Sequence, residues 1–205
     1  NVTDLSYFHV KYVKDNIKKN KKLAEEIMLA KAFAFSQNCY GAESYIKGFS
    51  GYALELLIIH YGSFLKFIKS ISESNKTSII DPSKFYKSKQ EILLELNEAK
   101  LQSPIVFVDP TFKERNALAA LSKETFNKFK EKSKEFLKNP SIKFFEPANL
   151  EKEMRKSIRN KKTKLIILEA KTSRQKGDIG GSKLKKFYKF FKSRLEKYFS
   201  VTKSE

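Results

Sequence analysis

Apolar positions along the first third of the chain recur at helical spacing. Residues 8–22, FHVKYVKDNIKKNKK, set apolar positions among basic ones as a short basic helix does, and residues 23–35 continue as a second helix with Ile27, Ala30 and Ala34 on its buried side. Asn20 separates the two. Residues 36–48, SQNCYGAESYIKG, hold Gly41 and Gly48 and read as a loop. Ser50 then offers an oxygen to cap GYALELLIIHY, a run apolar nearly all round, which predicts a buried central helix stopped by Gly62. Phe64, Phe67, Ile68 and Ile71 fall at i, i+3, i+4 and i+7, one face of a fourth helix.

Past Ser72 the pattern changes. Residues 77–81 (TSIID) and 105–109 (IVFVD) are short β-prone segments, each closed by Asp-Pro, with a helix or long excursion over residues 90–100 between them. Arg115 follows the second Asp-Pro turn and precedes an apolar run read as helical, and Asn116 is expected to fix the turn. Ser122 caps a helix with Phe126, Phe129, Ser133, Phe136 and Leu137 on one side and lysines on the other, ending at Asn139-Pro140. Beyond Pro147 the expected order is a helix over residues 151–160, a strand over 164–170, a loop TSRQKGDIGGS, and a last helix. In that helix Leu184, Phe187, Tyr188, Phe191, Leu195 and Tyr198 form an apolar stripe facing away from Lys185, Lys186, Lys189 and Lys192. The resulting fold class is α+β, mostly α: a helical domain over residues 1–147, then a small, incomplete α+β unit over 148–205.

Composition sharpens this. The 205 residues are long enough to bury a real core, and 18 Phe supply one. The formal net charge of +19 biases the partner toward a polyanion. That charge is uneven: residues 123–205 carry 25 Lys/Arg against 10 Asp/Glu, while residues 1–122 carry 17 against 13, so the second half is the better polyanion-binding surface. A lone cysteine, Cys39, excludes an intrachain disulfide and fits a reducing compartment. No apolar run is long enough to span a bilayer, so a soluble, cytoplasmic protein without a membrane partner is expected. The chain opens on Asn rather than Met, which points to a processed chain or a piece of something longer.

Several chemistries find no motif. There is no GxSxG elbow and no Walker loop, and His9 and His60 stand without ligand spacing around them, which favours structural roles for both. The glycine-rich KGDIGGSK opens a basic helix that could hold a phosphate, but reads more simply as a linker. Asp81 and Asp109 look like turn residues, and Glu25, Glu26, Glu95 and Glu98 like solvated helix faces, so no acidic cluster for two-metal chemistry is visible. Arg115 is the anomaly. Only five of the 42 basic residues are arginine, and it alone precedes Arg155. A guanidinium grips a phosphate or a base edge with a rigid fork that an ammonium lacks. The plainer alternative is an arginine pairing with Glu114 or Asp109.

Three stretches taken together resemble one family. LAKAFAFSQNCYGAESYIKGFSGYALELLIIHYGSF, then VDPTFKERNALAALS, then NPSIKFFEP are similar to the central domain of the archaeal, class I CCA-adding tRNA nucleotidyltransferases, in the family's order. The resemblance implies a helical substrate-binding neck followed by the start of a body domain that supports the tRNA acceptor region. It implies that Lys31 and Tyr40 contact the triphosphate of CTP or ATP. Arg115 would help read the nucleobase together with RNA phosphates, and Lys183, Lys186 and Lys189 would face RNA. Family members also carry a catalytic head with metal-binding carboxylates, which this stretch does not contain. Mg²⁺ is therefore expected for the complete enzyme and not for this chain alone, whose own activity stays undecided, with none expected by itself. The chain would be a fragment or one subunit of a split enzyme, partnered by tRNA, CTP, ATP and a head domain in the same or a separate chain. The alternative is a stand-alone, non-catalytic RNA-binding protein derived from that family.

Overall fold

The structure, a computed structural model, describes residues 5–147 and 169–199. The chain divides into two compact units, one made of residues 1–42 and 46–148, the other of residues 43–45 and 149–205.

The first unit opens with α1 (Ser6–Lys19) and α2 (Lys22–Ser36), parted at Asn20, whose backbone is extended and whose side chain accepts from the Lys22 N–H at 3.2 Å. Helix α3 (Gly51–Tyr61) is capped by Ser50, which accepts from the Ala53 N–H, and closed by Gly62 at φ 80°. Ala53, Leu54, Leu56, Leu57 and Ile58 are all buried, as an all-round apolar helix requires. Helix α4 (Phe64–Glu73) is capped by Ser63, and the Phe64 N–H donates to the Glu26 carboxylate at 2.7 Å, so Glu26 serves a helix start rather than a solvated face. Its ring positions and those of α7 (Lys123–Lys138, capped by Ser122) meet at Phe33. Phe33 is fully buried, with the rings of Phe64, Phe129, Phe136 and Phe145 within 5.4–5.8 Å, mostly edge to face. Leu137, expected on that face, is 36% exposed. A 3₁₀ turn, Ile142–Phe145, delivers Phe145 and, stacked on Phe33 at 6.3 Å, Phe144.

A three-stranded sheet packs against this bundle: β1 (Ser78–Ile80), β2 (Ile105–Asp109) and β3 (Phe112–Asn116), in that spatial order, with two short helices, α5 (Lys89–Glu95) and α6 (Glu98–Leu101), in the excursion before β2. β1 pairs with β2 in parallel and β2 with β3 antiparallel, with an irregularity between Val108 and Asp109. β2 is buried throughout because its two faces have different partners. Ile105 and Phe107 enter the main core, and Val106 and Val108 join Ile92 and Leu96.

Two expectations around Arg115 need correcting. It lies in a strand, and the run after it is a succession of turns rather than a helix, which starts only at Lys123. The cause is the side chain of Asn116. Its Oδ1 accepts from the N–H groups of Phe107 and Leu118 at 3.0 and 2.9 Å, and its Nδ2 donates to the carbonyls of Lys100 and Ile105 at 2.7 and 3.3 Å. The start of the apolar run is thereby tied to β2, and the bonds that follow, Ala119 N–H to Asn116 O and Leu121 N–H to Leu118 O, close single turns.

In the second unit, α8 spans Gly177–Leu195. The glycine-rich stretch expected as a loop is thus its first turns, and its glycines answer to space: a Cβ on Gly180 would lie 2.6 Å from the Gln175 carbonyl oxygen, and one on Gly181 2.5 Å from the Tyr45 ring. The apolar stripe is not a buried one. Phe187 is 51% and Tyr198 80% exposed. Lys185, placed on the solvated side, donates to the Tyr45 carbonyl. The helix over 151–160 and most of the strand over 164–170 lie outside the described residues. Among the described residues no helix is long and apolar enough to cross a membrane.

Candidate functional site

The start of α3 is where the predicted side chains gather. Tyr40 is brought there by an isolated parallel bridge to Phe49, with Gly41 N–H to Phe49 O, Gly48 N–H to Gly41 O and Phe49 N–H to Cys39 O, each at 2.8 Å. Gly51, the first residue of α3, has no side chain to fill the space this creates. A Cβ there would meet the Tyr40 hydroxyl at 2.9 Å and Lys31 Cε at 3.9 Å. Lys31, from α2, and Tyr40 therefore converge on the amino end of a helix, where backbone N–H groups and the helix dipole favour an anion. The Lys31 ammonium donates to Glu55 Oε1 at 2.6 Å, one turn into α3, and both side chains are half-buried. Cys39, next to Tyr40, is fully buried, and burial pushes its thiol up to about 11, which makes it inert.

Arg115 reaches the same helix by another route. It lines a cavity of about 260 Å³ together with Ser50, Ala53, Gly48 and Lys100, walled by the alanines of the turns after Asn116. Lys31 and Tyr40 do not line that cavity. Its guanidinium, 40% exposed, faces Asp109, with Nε 3.8 Å from Oδ2. Nη1 lies 3.2 Å from His9 Nε2. Asp109 is fully buried. Its Oδ1 accepts from the Tyr52 hydroxyl at 3.0 Å and from the N–H and hydroxyl of Thr111 at 2.9 and 2.7 Å. Burial first, and then the charge of Asp109, hold the Tyr52 phenol well above its ordinary range, so Tyr52 stays a donor.

Three residues here escaped the reading of the sequence, and a fourth, Asp109, was read only in part: its pairing with Arg115 was one of the alternatives, its place as a buried hub was not. His9 is not isolated: its ring stacks on Tyr52 at 3.9 Å, and its Nε2 is 3.3 Å from Asp109 Oδ2. Tyr52 and Glu55 vanish in an apolar helical run. The one available signal was that IVFV, a continuous apolar run, ends on a charged residue in register with a buried strand. His60 is exposed at the end of α3, edge-on to Tyr61 and Phe107. Lys183, Lys186 and Lys189 are exposed on α8, in the other unit. Among the described residues no group of three or more His, Cys, Asp or Glu is placed to hold a metal ion.

An ammonium and a phenol at a helix start suit phosphate oxygens, and a half-exposed guanidinium beside a small-walled cavity suits a planar acceptor edge. The chain is similar to the CCA-adding enzymes of Thermococcus gammatolerans (33% identical over 197 residues, 95% of this chain and 43% of the relative) and Nanoarchaeum equitans (38% over 173 residues, 84% and 43%). It is also similar to that of Methanocaldococcus jannaschii (40% over 130 residues, 62% and 28%). It spans less than half the length of each of these relatives. A family model described as tRNA nucleotidyltransferase, second domain, matches residues 25–146, and with more than half of its length so covered the chain belongs to that family.

Proposed function

We propose that the chain is the nucleotide- and tRNA-binding portion of a CCA-adding tRNA nucleotidyltransferase. Lys31 and Tyr40 hold the triphosphate of CTP or ATP at the start of α3. Arg115 reads the base edge with help from RNA phosphates, and Lys183, Lys186 and Lys189 contact tRNA phosphates. The observation that carries the reading is the convergence of Lys31 and Tyr40 on Gly51. A donor-only fork fits the two bases concerned, since cytosine and adenine each present an unprotonated ring nitrogen where uracil and guanine carry N–H. Mg²⁺ belongs to the catalytic head, in the same or a separate chain. The cleft carboxylates do not fit it, because Glu55 is paired with Lys31 and Asp109 with Tyr52, Thr111 and Arg115.

The test is to mix the chain with the head domain of an archaeal relative and follow CTP incorporation into tRNA lacking its terminus. Incorporation that needs both parts is expected. A head that binds the chain yet incorporates nothing contradicts the reading, and tRNA binding that is salt-sensitive but indifferent to CTP and ATP favours a non-catalytic RNA-binding protein instead.

Two substitutions separate the site from the fold. Arg115→Lys keeps the charge and removes the fork, so the preference for CTP over UTP should fall about tenfold while the melting temperature holds; competition binding with the two nucleotides measures it. Gly51→Ala meets only the far end of the Tyr40 side chain, which can swing aside, and an alanine suits a helix better than glycine by up to about 1 kcal/mol. Its melting temperature should hold or rise while CTP affinity drops about tenfold. Equal affinity in both proteins would remove Tyr40 and Lys31 from the site.

A further inference from the structure

Asp109 would not itself meet the proposed nucleotide, yet it is the most enclosed charge near the cavity. Its side chain has no solvent exposure. Three donors from Tyr52 and Thr111 converge on Oδ1, so the carboxylate cannot rotate. The direction of Oδ2 is therefore fixed by β2 and α3 together. Oδ2 accepts no hydrogen bond of ordinary geometry among the described residues, and what it faces is Arg115 Nε at 3.8 Å and His9 Nε2 at 3.3 Å. An exposed ion pair is worth little because water screens it and both side chains wander. Here one partner is neither screened nor free to move, which makes it an anchor for the other. A part-exposed arginine on the mostly polar strand FKERN would otherwise sample many rotamers.

We propose that Asp109 is a positioning residue for Arg115: its buried, clamped carboxylate holds the Nε edge of the guanidinium and so fixes the remaining edge of the fork that selects the base. The inference rests on Arg115 reading the base. It extends that reading by placing part of base selection in a residue that never meets the nucleotide.

The experiment is Asp109→Asn in the whole 205-residue chain, which keeps the shape and the Oδ1 acceptor and removes the charge. Two readouts are taken. The first is the Arg115 Nε–H signal in a proton–nitrogen correlation spectrum, assigned by its disappearance in Arg115→Lys, with the other four arginines as internal references. The wild-type signal should be resolved and slow to exchange with water, and Asp109→Asn should speed that exchange about tenfold, toward the exposed arginines. The second is competition between CTP and UTP, where the preference for CTP should fall about tenfold with binding of inorganic triphosphate unchanged. An Arg115 signal unaltered by Asp109→Asn overturns the proposal whatever happens to selectivity. Altered exchange with unaltered selectivity, in this variant and in Arg115→Ala alike, removes Arg115 from base reading and the proposal with it. If Asp109→Asn does not fold, Tyr52→Phe, which deletes one donor to Oδ1 and keeps the charge, should give an intermediate change in both readouts, and no change in either contradicts the proposal.

Discussion

Asn116→Ala is expected to lower the stability of the chain by about 3 kcal/mol, more than most single substitutions do. Asn116 is 2% exposed and uses its whole hydrogen-bonding capacity on backbone groups, two N–H donors and two carbonyls, from four different positions. Alanine leaves the N–H groups of Phe107 and Leu118 buried without an acceptor, at about 1–3 kcal/mol each, and the carbonyls of Ile105 and Lys100 lose a donor. Beside these four bonds the ladder between β2 and β3, irregular between Val108 and Asp109, is continued by Ala117 N–H to Phe107 O at 2.9 Å. Asn116→Asp should cost a comparable amount: it keeps the acceptor but loses both donors and buries a charge. Urea denaturation of the three proteins measures this, with the midpoint moved and the slope unchanged. A loss below about 1 kcal/mol would mean that the two strands are held by something else.

The second large effect is expected at Gly48. A Cβ there would lie 2.7 Å from the Cys39 carbonyl carbon, closer still to its oxygen, and 3.0 Å from the Gly41 carbonyl oxygen. All of these are backbone atoms within the bridge that presents Tyr40, so nothing flexible can yield. The strain differs in kind from that at Gly51, where the obstacle is the end of a side chain. Gly48→Ala should therefore separate the Tyr40–Phe49 bridge, weaken its three 2.8 Å hydrogen bonds and cost about 3 kcal/mol. Under conditions where the variant is still folded, by circular dichroism, CTP binding should be lost as well, because Tyr40 is no longer delivered to the start of α3. A folded variant that binds CTP normally would show that the bridge and the site are independent.

What could be read from the sequence follows from which forces are local. The helices α1 to α4 and α7 were legible because their signals lie within a few residues: Ser50 and Ser122 as caps, Gly62 as a stop, and the spacing of Phe64, Phe67, Ile68 and Ile71. β2 was legible as an apolar run. β3 was not, since FKERN shows no alternation of apolar and polar residues, and the Asn116 side chain that helps tie it to β2 gives no local signal. The start of α8 was misread because Gly180 and Gly181 look like loop residues, whereas each is a glycine for want of space. At the candidate site, Lys31 and Tyr40 were picked out by resemblance alone, and neither spacing nor charge marks them among so many lysines and aromatics. Asp109 was legible as a neighbour of Arg115 six positions on, but Tyr52 and Glu55 were invisible because their partners lie 57 and 24 positions away.

One measurement bears most directly on the proposal that the start of α3 holds the triphosphate and Arg115 the base of one nucleotide. It is the crystal structure of the chain with CTP bound. The account predicts phosphate oxygens in hydrogen-bonding contact with Lys31 Nζ and the Tyr40 hydroxyl beside Gly51, and the cytosine ring directed to Arg115. A nucleotide bound elsewhere, with Lys31 still joined to Glu55 and Tyr40 untouched, would contradict it.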